Sequence, residues 1–303
     1  MTTPEPSRST GSDPRHEPVL AAEIVSLVVT RPGGVYVDAT VGLGGHTAAM
    51  LEAGAGRVIG IDRDPAALAA CRERFAEIGD RVTLVHADYR EIAAVLRDQG
   101  AVDGVIADFG VSSMQLDHAP RGFSFRQAGP LDMRMDQSRG ETLAERLAAV
   151  DEAELADVIF QFGEERKSRR VAREIVTARD RGALLTTADL AAAARRGAGG
   201  GTWQRTDPAT RTFQALRIWV NAELDGLDRF VEDATRVLAP GGRLGVLAFH
   251  SLEDRIVKQT MRRLAAEGAG TLVTRRPLMP GDAEIERNPR ARSARLRVLE
   301  KAA

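Results

Sequence analysis

The sequence predicts an α/β protein with a doubly wound, mostly parallel sheet interrupted by a block of helices. Short apolar segments alternate with helical patterns early in the 303 residues and again near the end. Each of the first four apolar segments is followed by an aspartate, and a glycine-rich turn follows the first. Strands alternating with helices form sheets covered on both faces, and ligands bind at the carboxyl ends of the strands. We therefore expect a binding site along that edge.

Composition indicates a globular chain with an ordinary core. The hydrophobic fraction is 43%, and 42 basic against 43 acidic residues leave a net charge of -1. This balance excludes a polybasic coat, so any nucleic-acid contact must come from local patches. The single cysteine, Cys71, cannot form an internal disulfide and fits a reducing compartment. Residues 1–15 lack the apolar segment of a signal peptide, and the apolar run at 19–29 is too short to span a bilayer. We expect a soluble, cytoplasmic protein with a disordered tail at residues 1–15.

The predicted elements alternate along the chain. Helices are predicted at residues 17–27, 48–53 and 66–78, and strands at residues 35–39, 58–61, 82–86 and 102–107. From residue 142 to about residue 194 the apolar spacing is helical throughout. Further helices are predicted at residues 211–224, 227–238 and 254–267, and strands at residues 243–249, 272–274 and 296–299. We expect the last strand to pair antiparallel, and a turn at residues 239–242.

The loop after the first strand is the motif on which the functional prediction depends. The strand ends at Asp38, and residues 42–46 (GLGGH) lead into a helix, so backbone N–H groups face a ligand. The spacing is not the dinucleotide fingerprint, because Thr47 stands where the third glycine should be. A second acid, Asp62, closes the next strand and is the natural partner for ribose hydroxyls. Two acids around a glycine loop favour S-adenosylmethionine. Nucleotide binding or a structural glycine turn are the alternatives.

Acidic residues also close the third and fourth predicted strands. Asp88 follows the third strand, and we expect it to flank an adenine together with Tyr89. Asp108 follows the fourth strand. A single acid at a strand end is often a turn residue or a helix cap, but four in succession favour a binding edge.

The alternation of strands and helices stops after residue 110. Residues 110–136 predict a long irregular loop, and such a loop in a compact domain usually carries function. The helical block is predicted as an insertion at residues 125–207. Its segment 164–181 is rich in arginine, and five arginines at residues 287–297 form the strongest basic patch. Each segment is either a solvated surface or one that faces phosphates. The candidate RNA contacts are Arg121, Arg134, Arg166, Arg169, Arg170, Arg290, Arg292 and Arg295.

Nine ordered segments make the chain resemble one family closely. They are residues 16–20 (HEPVL), 38–46 (DATVGLGGH), 110–113 (GVSS), 115–117 (QLD), 121–125 (RGFSF), 130–136 (PLDMRMD), 208–217 (PATRTFQALR), 249–258 (FHSLEDRIVK) and 288–297 (NPRARSARLR). They resemble the MraW family of bacterial methyltransferases from about residue 16 to the C-terminus. The chain departs from the family pattern at Phe109, Met114 and Asp207, where the family usually has leucine, proline and histidine.

The resemblance implies a class I S-adenosylmethionine-dependent methyltransferase fold, with a seven-stranded sheet whose last strand is antiparallel and an inserted all-helical domain. The methyltransferase domain would comprise residues 16–124 and 208–303, and a substrate-recognition domain residues 125–207. The resemblance implies methylation of the N4 amine of cytidine 1402 in the decoding centre of 16S ribosomal RNA. The partner would be the small ribosomal subunit and not a membrane. A homodimer is left open. The predicted donor site is Asp38, Gly44, Gly45, His46, Asp62, Tyr89, Asp108 and Gln115.

Methyl transfer to an exocyclic amine requires positioning and a hydrogen-bond acceptor for the amine. Asp108 occupies the place where amino-directed methyltransferases carry a short acidic or amide-led motif. We expect Asp108 and Ser113 to border both donor and amine, although Asp108 as a donor-site residue alone is an alternative. His250 is the second candidate on the target side, or else a structural imidazole, and His46 would shape the donor loop. The candidates for stacking on the target base are Phe123, Phe125 and Trp219, each of which could instead be a core residue.

Two other functions compete with this prediction. One is a class I methyltransferase with a small-molecule acceptor, which would need neither the insertion nor the arginine-rich C-terminal segment. The other is an RNA-binding or assembly factor that has lost the chemistry, which the intact acids and glycines disfavour. The five scattered histidines and the lack of a cysteine pair show no metal signature.

Overall fold

Seven strands form one sheet within the part of the chain that the structure describes. That part, in this computed structural model, is residues 18–199 and 207–303. The strands are β1 (Val35–Asp38), β2 (Arg57–Asp62), β3 (Val82–His86), β4 (Val102–Asp108), β5 (Leu238–Ala248), β6 (Gly270–Leu272) and β7 (Arg295–Lys301). Their order is β3-β2-β1-β4-β5-β7-β6, and β7 runs antiparallel to both neighbours. This topology confirms the predicted sheet and its antiparallel last strand.

The helices cover the sheet and form the block between β4 and β5. They are α1 (Ala21–Val28), α2 (Gly45–Glu52), α3 (Pro65–Arg74), α4 (Ile92–Val95), α5 (Ser113–Asp117), α6 (Leu143–Ala149), α7 (Glu152–Gly163), α8 (Ser168–Asp180), α9 (Thr187–Ala198), α10 (Ala209–Asn221), α11 (Leu227–Val237), α12 (Ser251–Ala266) and α13 (Asp282–Arg287). Within residues 18–199 and 207–303, none of them is long and apolar enough to cross a bilayer. The predicted tail, residues 16 and 17 of the first family segment, and residues 200–206 at the end of the predicted insertion lie outside the described residues.

Both faces of the sheet are buried, which is why its parallel strands are apolar on both sides. In β2, Val58, Ile59 and Ile61 are at most 1% exposed. One face packs against α4, α11 and α12, with Phe230 of α11 at the contact. The other face packs against α1, α2 and α3, where the thiol of Cys71 is buried. The two layers of helices hold the strand ends in fixed positions.

The helical block has a hydrophobic core of its own. Leu143, Ile159, Val171, Leu190 and Phe213 are buried together in it, one from each of α6 to α10. Because α10 follows residue 207, its packing extends the helical cluster beyond the predicted boundary of the insertion. The division into two domains at residues 125 and 207 stays a prediction.

Two local differences from the predicted elements have physical causes. The predicted turn at residues 239–242 is part of β5, because the strand continues through an irregular register between Val102 and Gly104 of β4. Gly241 allows this, since its φ of +73° favours glycine. The loop at residues 110–136 is less irregular than predicted, because it contains α5.

Gly104 tests how closely β4 packs against the adjacent helix. A Cβ at this position would lie 2.8 Å from atoms of Val28 and Tyr36, both buried. We expect Gly104→Ala to lower the free energy of unfolding by about 1–3 kcal/mol, because the core must shift. Gly281→Ala is the control, since its Cβ would meet no atom within 4 Å. Urea denaturation measures both, and equal stability of the two variants would contradict the packing argument.

Candidate active site

A cavity of about 390 Å³ opens at the carboxyl edge of the sheet. It lies where the strand order reverses between β1 and β4, the position at which doubly wound sheets bind ligands. The volume is within the range for cofactor and small-ligand sites, about 300–1,000 Å³. The loops after β1, β2, β4 and β5, the start of α5 and the end of α10 form its wall.

The glycine loop after β1 is held against Asp62 at the end of β2. The Gly42 N–H donates to Oδ2 of Asp62, and the Asp64 N–H donates to Oδ1, both at 2.8 Å. Burial raises the pKa of Asp62 to about 6, although both N–H groups favour the ionised form. Gly44 has a φ of +76°, and a Cβ there would lie 2.4 Å from the ring of Phe75. Glycine is therefore required at this position.

Asp38 and Gly44 lie behind the cavity wall, whereas Gly45 and His46 form part of it. Asp38 is 1% exposed, and its Oδ2 accepts a hydrogen bond from the Thr47 hydroxyl at 2.8 Å. This bond fixes the first turn of α2 to the end of β1. Both residues support the loop from behind, and contact between either of them and the ligand stays a prediction.

His46 joins the glycine loop to Asp108. Its Nε2 donates to the carbonyl oxygen of Val19 at 3.0 Å, and its Nδ1 lies 3.6 Å from Oδ2 of Asp108. The ring is 6% exposed. With one nitrogen tied to the backbone, His46 is suited to positioning Asp108 and shaping the wall.

Asp108 is the least satisfied polar group of the cavity. Its backbone N–H donates to the Thr40 hydroxyl at 2.6 Å. Its Oδ1 makes no hydrogen bond to any residue that the structure describes. Burial raises the pKa of Asp108 to about 6, with His46 working against the rise and Asp38 and Glu253 adding to it. The carboxylate therefore lacks the donor that a ligand N–H or cation would provide.

Tyr89 presents an aromatic wall at the end of β3. Its hydroxyl donates to the carbonyl oxygen of Glu223 at 3.1 Å. Its ring lies 5.2 Å from that of Phe109 and 4.9 Å from that of Phe230. Burial raises the pKa of Tyr89 above its usual value, so the phenol stays protonated. Tyr89 lines the cavity, and its contact with an adenine stays a prediction.

The prediction that Asp88 also flanks an adenine is corrected by the structure. Asp88 does not line the cavity, and its carboxylate lies 2.7 Å from both Nε and Nη2 of Arg90. Nη1 of Arg63 approaches it at 3.4 Å. The bonds from Arg90 hold the pKa of Asp88 below its usual value against the effect of burial. Both carboxylate oxygens of Asp88 are thus paired with Arg90.

Gln115 and Ser113 lie on the loop between β4 and the helical block. Gln115 Nε2 donates to Oδ2 of Asp64 at 2.9 Å, and its Oε1 accepts the Ser112 N–H at 3.0 Å. Both ends of the amide thus hold the start of α5, although Gln115 also lines the cavity. Ser113, the first residue of α5, is half-buried on the wall.

His250 caps a helix and does not reach the cavity wall. Its Nδ1 accepts the Glu253 N–H at 3.4 Å, and its Nε2 lies 3.1 Å from Oε1 of Glu253. Glu253 lines the cavity, and its Oε2 accepts the Phe249 N–H at 3.0 Å. The contacts of His250 with Glu253 suit a positioning role, and the catalytic role of His250 on the target side stays a prediction.

Sequence reasoning missed Arg217 and Glu223 as site residues. Both line the cavity, and the Arg217 guanidinium binds both carboxylate oxygens of Glu223 at 2.8 Å. The sequence signals were the position of Arg217 at the end of the family segment 208–217 and a charged pair at the end of an otherwise apolar helical pattern. Glu223, His250 and Glu253 lie close enough together to offer three metal-ligand atoms. The Arg217 guanidinium already neutralises Glu223, so these three residues suit that guanidinium better than a metal cation.

The prediction that Arg121 contacts RNA is wrong. Arg121 is 4% exposed, and its Nη1 lies 2.8 Å from Oδ2 of Asp64. Its Nη2 donates to the carbonyl oxygens of Arg134 and Met135 at 3.1 and 2.8 Å. Arg121 ties the long loop to the start of α3 and cannot reach a polyanion.

The remaining candidate arginines divide into paired and exposed groups. The paired ones are Arg134 with Asp132, Arg290 with Asp117 and Arg295 with Asp254. The exposed ones are Arg166, Arg169, Arg170 and Arg292. Among residues 18–199 and 207–303 the exposed group has no ion-pair partner.

The aromatic residues predicted to stack on a base belong to other environments. Phe123 is 6% exposed beneath Arg121, and Phe125 packs its ring 4.8 Å from that of Phe213 in the helical core. Trp219 lies under the Arg146 guanidinium at 5.2 Å. These three side chains are absent from the cavity wall formed by the described residues. Phe249 lines it instead.

The arrangement fits S-adenosylmethionine. Asp62 can accept ribose hydroxyls, because each of its oxygens keeps a lone pair beyond its backbone bond. Tyr89 offers a face to adenine, and Asp108 stands on the same cavity wall as the glycine loop. Together, the sheet order, the glycine loop and these side chains define a class I S-adenosylmethionine-dependent methyltransferase.

Comparison with known proteins places the chain within this class. A model of the MraW methylase family matches residues 13–302, so the chain belongs to the MraW methylase family. It is 54% identical over 296 residues to "Ribosomal RNA small subunit methyltransferase H" of Sorangium cellulosum, covering 97% of this chain and 92% of the relative. It is 52% identical over 306 residues to the protein of the same name from Nitrobacter winogradskyi, covering 95% and 91%.

The unpaired, buried oxygen of Asp108 should lower the free energy of unfolding. We expect Asp108→Asn to raise the free energy of unfolding by about 1–3 kcal/mol at neutral pH, because it removes an unfavourable buried charge. The sign follows from a folded-state pKa of about 6 against a usual 3.8. The gain should be complete above pH about 6 and disappear as the pH falls to about 4.

Asp62→Asn is the matched control for this measurement. Asp62 has the same raised pKa, but both of its oxygens accept backbone N–H groups, and an amide nitrogen would face one of them. Asp62→Asn should therefore give no gain. Urea denaturation at pH 7.5 and pH 4 measures both, and a gain for Asp108→Asn that is independent of pH would contradict the explanation.

Proposed function

We propose that this protein transfers the methyl group of S-adenosylmethionine to the N4 amine of a cytidine in 16S ribosomal RNA, at position 1402 of the decoding centre. The names of the relatives support an acceptor in the small-subunit RNA. The single observation that carries the amine as acceptor is the buried Oδ1 of Asp108, which has no hydrogen-bond donor among the described residues. An amine N–H of the target base would satisfy that oxygen.

Asp108 addresses the main chemical difficulty of the reaction. The lone pair of the N4 amine is delocalised into the cytosine ring, so the amine is a poor nucleophile. A carboxylate that accepts one amine hydrogen concentrates electron density on nitrogen and stabilises the positive charge that develops there. When bound, S-adenosylmethionine supplies an electrophilic methyl group, which the nitrogen attacks as the bond to sulfur breaks.

The proton balance also involves Asp108. After the N–C bond forms, the nitrogen must lose one hydrogen, and Asp108, a residue of the cavity wall whose Oδ1 has no donor among the described residues, is the group to receive it. A carboxyl whose pKa is about 6 accepts this proton more readily than an ordinary aspartate and still returns it to water at neutral pH. His46 Nδ1 lies 3.6 Å from Oδ2, the other oxygen of Asp108, and helps to hold the carboxylate in place.

The surfaces outside the cavity favour a polyanionic acceptor over a small molecule. Exposed arginines without ion-pair partners in the described chain occur at the start of the arginine-rich helix α8 and in the C-terminal segment, at Arg166, Arg169, Arg170 and Arg292. Asn288 and Arg290 of the same C-terminal segment line the cavity. Phosphates bound by these groups would hold RNA without reading its sequence.

Transfer of a labelled methyl group tests the proposal. The protein is incubated with tritiated S-adenosylmethionine and three acceptors, which are small ribosomal subunits, naked 16S RNA and free nucleosides. We expect label in the RNA acceptors, and mass spectrometry should locate it on N4 of one cytidine. Label in nucleosides alone would support a small-molecule acceptor, and cofactor binding without any transfer would support a non-catalytic RNA-binding protein.

Asp108→Asn should separate chemistry from cofactor binding. We expect kcat to fall at least a hundredfold, because the amide cannot take the proton, while the Kd for S-adenosylmethionine measured by calorimetry changes much less. The kcat of the unaltered protein should also fall as the pH drops below about 6, where Asp108 is protonated. Unchanged kcat with weakened cofactor binding would reject the role of Asp108 at the amine.

The exposed arginines of α8 and the preceding turn give a second prediction. Replacing Arg166, Arg169 and Arg170 by glutamine should raise KM for RNA about tenfold or more and leave kcat unchanged. It should also reduce the salt dependence of binding, by about one unit of slope for each lost phosphate contact. The control replaces Arg236, Arg262 and Arg263 by glutamine. These three residues lie near the C-terminal ends of α11 and α12. An equal effect from both triple variants would show that only net charge matters.

A further inference from the structure

Arg217 is a half-buried cation of the cavity that the chemistry above does not use. Its side chain is 15% exposed. Nε and Nη2 donate to Oε1 and Oε2 of Glu223, both at 2.8 Å. The third nitrogen, Nη1, makes no hydrogen bond to any residue in the described ranges, although Arg217 is part of the cavity wall. A guanidinium has five N–H groups, and this pairing uses two of them.

The guanidinium is held in one orientation. Glu223 is 6% exposed, and its carbonyl oxygen accepts the Tyr89 hydroxyl, so its position is fixed on two sides. Burial opposes the charged form of Arg217, but Glu223 and Glu253 hold the pKa of the guanidinium above its usual value. Arg217 therefore presents a rigid edge of N–H groups that remain charged.

Asp108 and Arg217 both line the cavity. Glu253 lines it too, and its carboxylate lies within 4.8 Å of that of Glu223, the partner of Arg217. Glu253 is already engaged on both oxygens, because one accepts the Phe249 N–H and the other lies 3.1 Å from Nε2 of His250. The cavity thus offers an acceptor at Asp108 and a fixed set of donors at Arg217.

We infer that Arg217 reads the N3 and O2 atoms of the target cytosine. This inference rests on the proposed function and adds to it the residue that selects the base. Cytosine carries a donor amine at C4 next to two acceptors, N3 and O2. The two parallel N–H groups at the free edge of a guanidinium match two adjacent acceptors, as they do in recognition of guanine by arginine. Uracil carries an N–H at position 3, which would oppose an arginine N–H.

The cost of removing the base from its stack explains why such a residue is needed. Extruding a nucleotide costs a few kcal/mol, and contacts to its Watson–Crick edge offset that cost. Asp108 alone would contact only the amine. With Arg217, all three polar positions of the cytosine edge have a partner of the right kind.

The test compares two target bases in each protein variant. Small subunits are assembled with 16S RNA in which the target is either cytidine or 3-deazacytidine, which keeps the amine and O2 but has no N3 acceptor. The ratio of kcat/KM for the two bases is measured in the unaltered protein and in Arg217→Met. Because the ratio is taken within one variant, a partly unfolded sample does not change it.

We expect cytidine to be preferred by the unaltered protein, and this preference to shrink about tenfold to a hundredfold in Arg217→Met, the value of one hydrogen bond to a charged donor. Glu223→Gln should give an intermediate ratio, since it loosens the guanidinium without removing it. Arg243→Met is the matched control, because Arg243 pairs with Glu300 outside the cavity. It should keep the ratio of the unaltered protein.

Each outcome supports or overturns a distinct statement. An equal ratio in the unaltered protein and in Arg217→Met, with normal binding of S-adenosylmethionine by calorimetry, would make Arg217 a purely structural residue. If Arg217→Met does not fold, Arg217→Lys keeps the charge but not the parallel N–H groups, and an unchanged ratio there would overturn the inference equally. Failure of the unaltered protein to methylate any cytosine would overturn the proposed function itself.

Discussion

The burial of carboxylates at one edge of a parallel sheet is the constraint on which this site depends. An ionised carboxylate removed from water is unfavourable unless hydrogen-bond donors surround it. The chain provides a threonine hydroxyl for Asp38, two backbone N–H groups for Asp62 and two arginines for Asp88. Within the described residues, Asp108 differs from these three in keeping one oxygen without a donor. The same chemistry that stabilises three of the acids leaves the fourth with an unpaired oxygen, which is why we propose Asp108 as the partner of the amine.

The long loop after β4 connects this edge to the helical block. Arg121 from the loop binds Asp64 beside β2, and Met135 N–H donates to Oδ1 of Asn221 at the end of α10 at 2.8 Å. Asn221 in turn donates to the carbonyl oxygen of Met133. These buried bonds are directional, so they fix where α10 ends. The guanidinium of Arg217 depends on that position, because it lies one turn earlier in the helix.

The sequence predicted the elements that local pattern controls. The four strands ending in aspartate, the glycine loop and the antiparallel last strand follow from periodicity and family resemblance, and the topology agrees. The sequence did not predict which arginines are buried and which are exposed. Arg121 lies in a polar stretch typical of a surface loop, and its partner is 57 residues away. No local spacing reveals such a pair, so burial could not be predicted. The helix start at His250 could be predicted from the sequence, because a glutamate follows three residues later and can pair with the capping residue of the helix.

The same limit applies to the cavity wall. Asp88 and Asp62 stand at equivalent places in the sequence, but Arg90 is two residues from Asp88 and removes it from the site. Arg217 and Glu223 read as an ordinary salt bridge at a helix end. Their role depends on the distant strand ends that enclose them, which only the folded chain shows.

The lone thiol of the described chain lies directly beneath the donor loop. Cys71 Sγ donates to the carbonyl oxygen of Gly42 at 3.1 Å, and burial raises the pKa of Cys71 to about 12. Thiols react with electrophiles as thiolates, so Cys71 should be unreactive while its thiol is covered by the glycine loop. Its rate of alkylation would therefore report how often the loop lifts away from β2, and a bound nucleoside should slow that labelling.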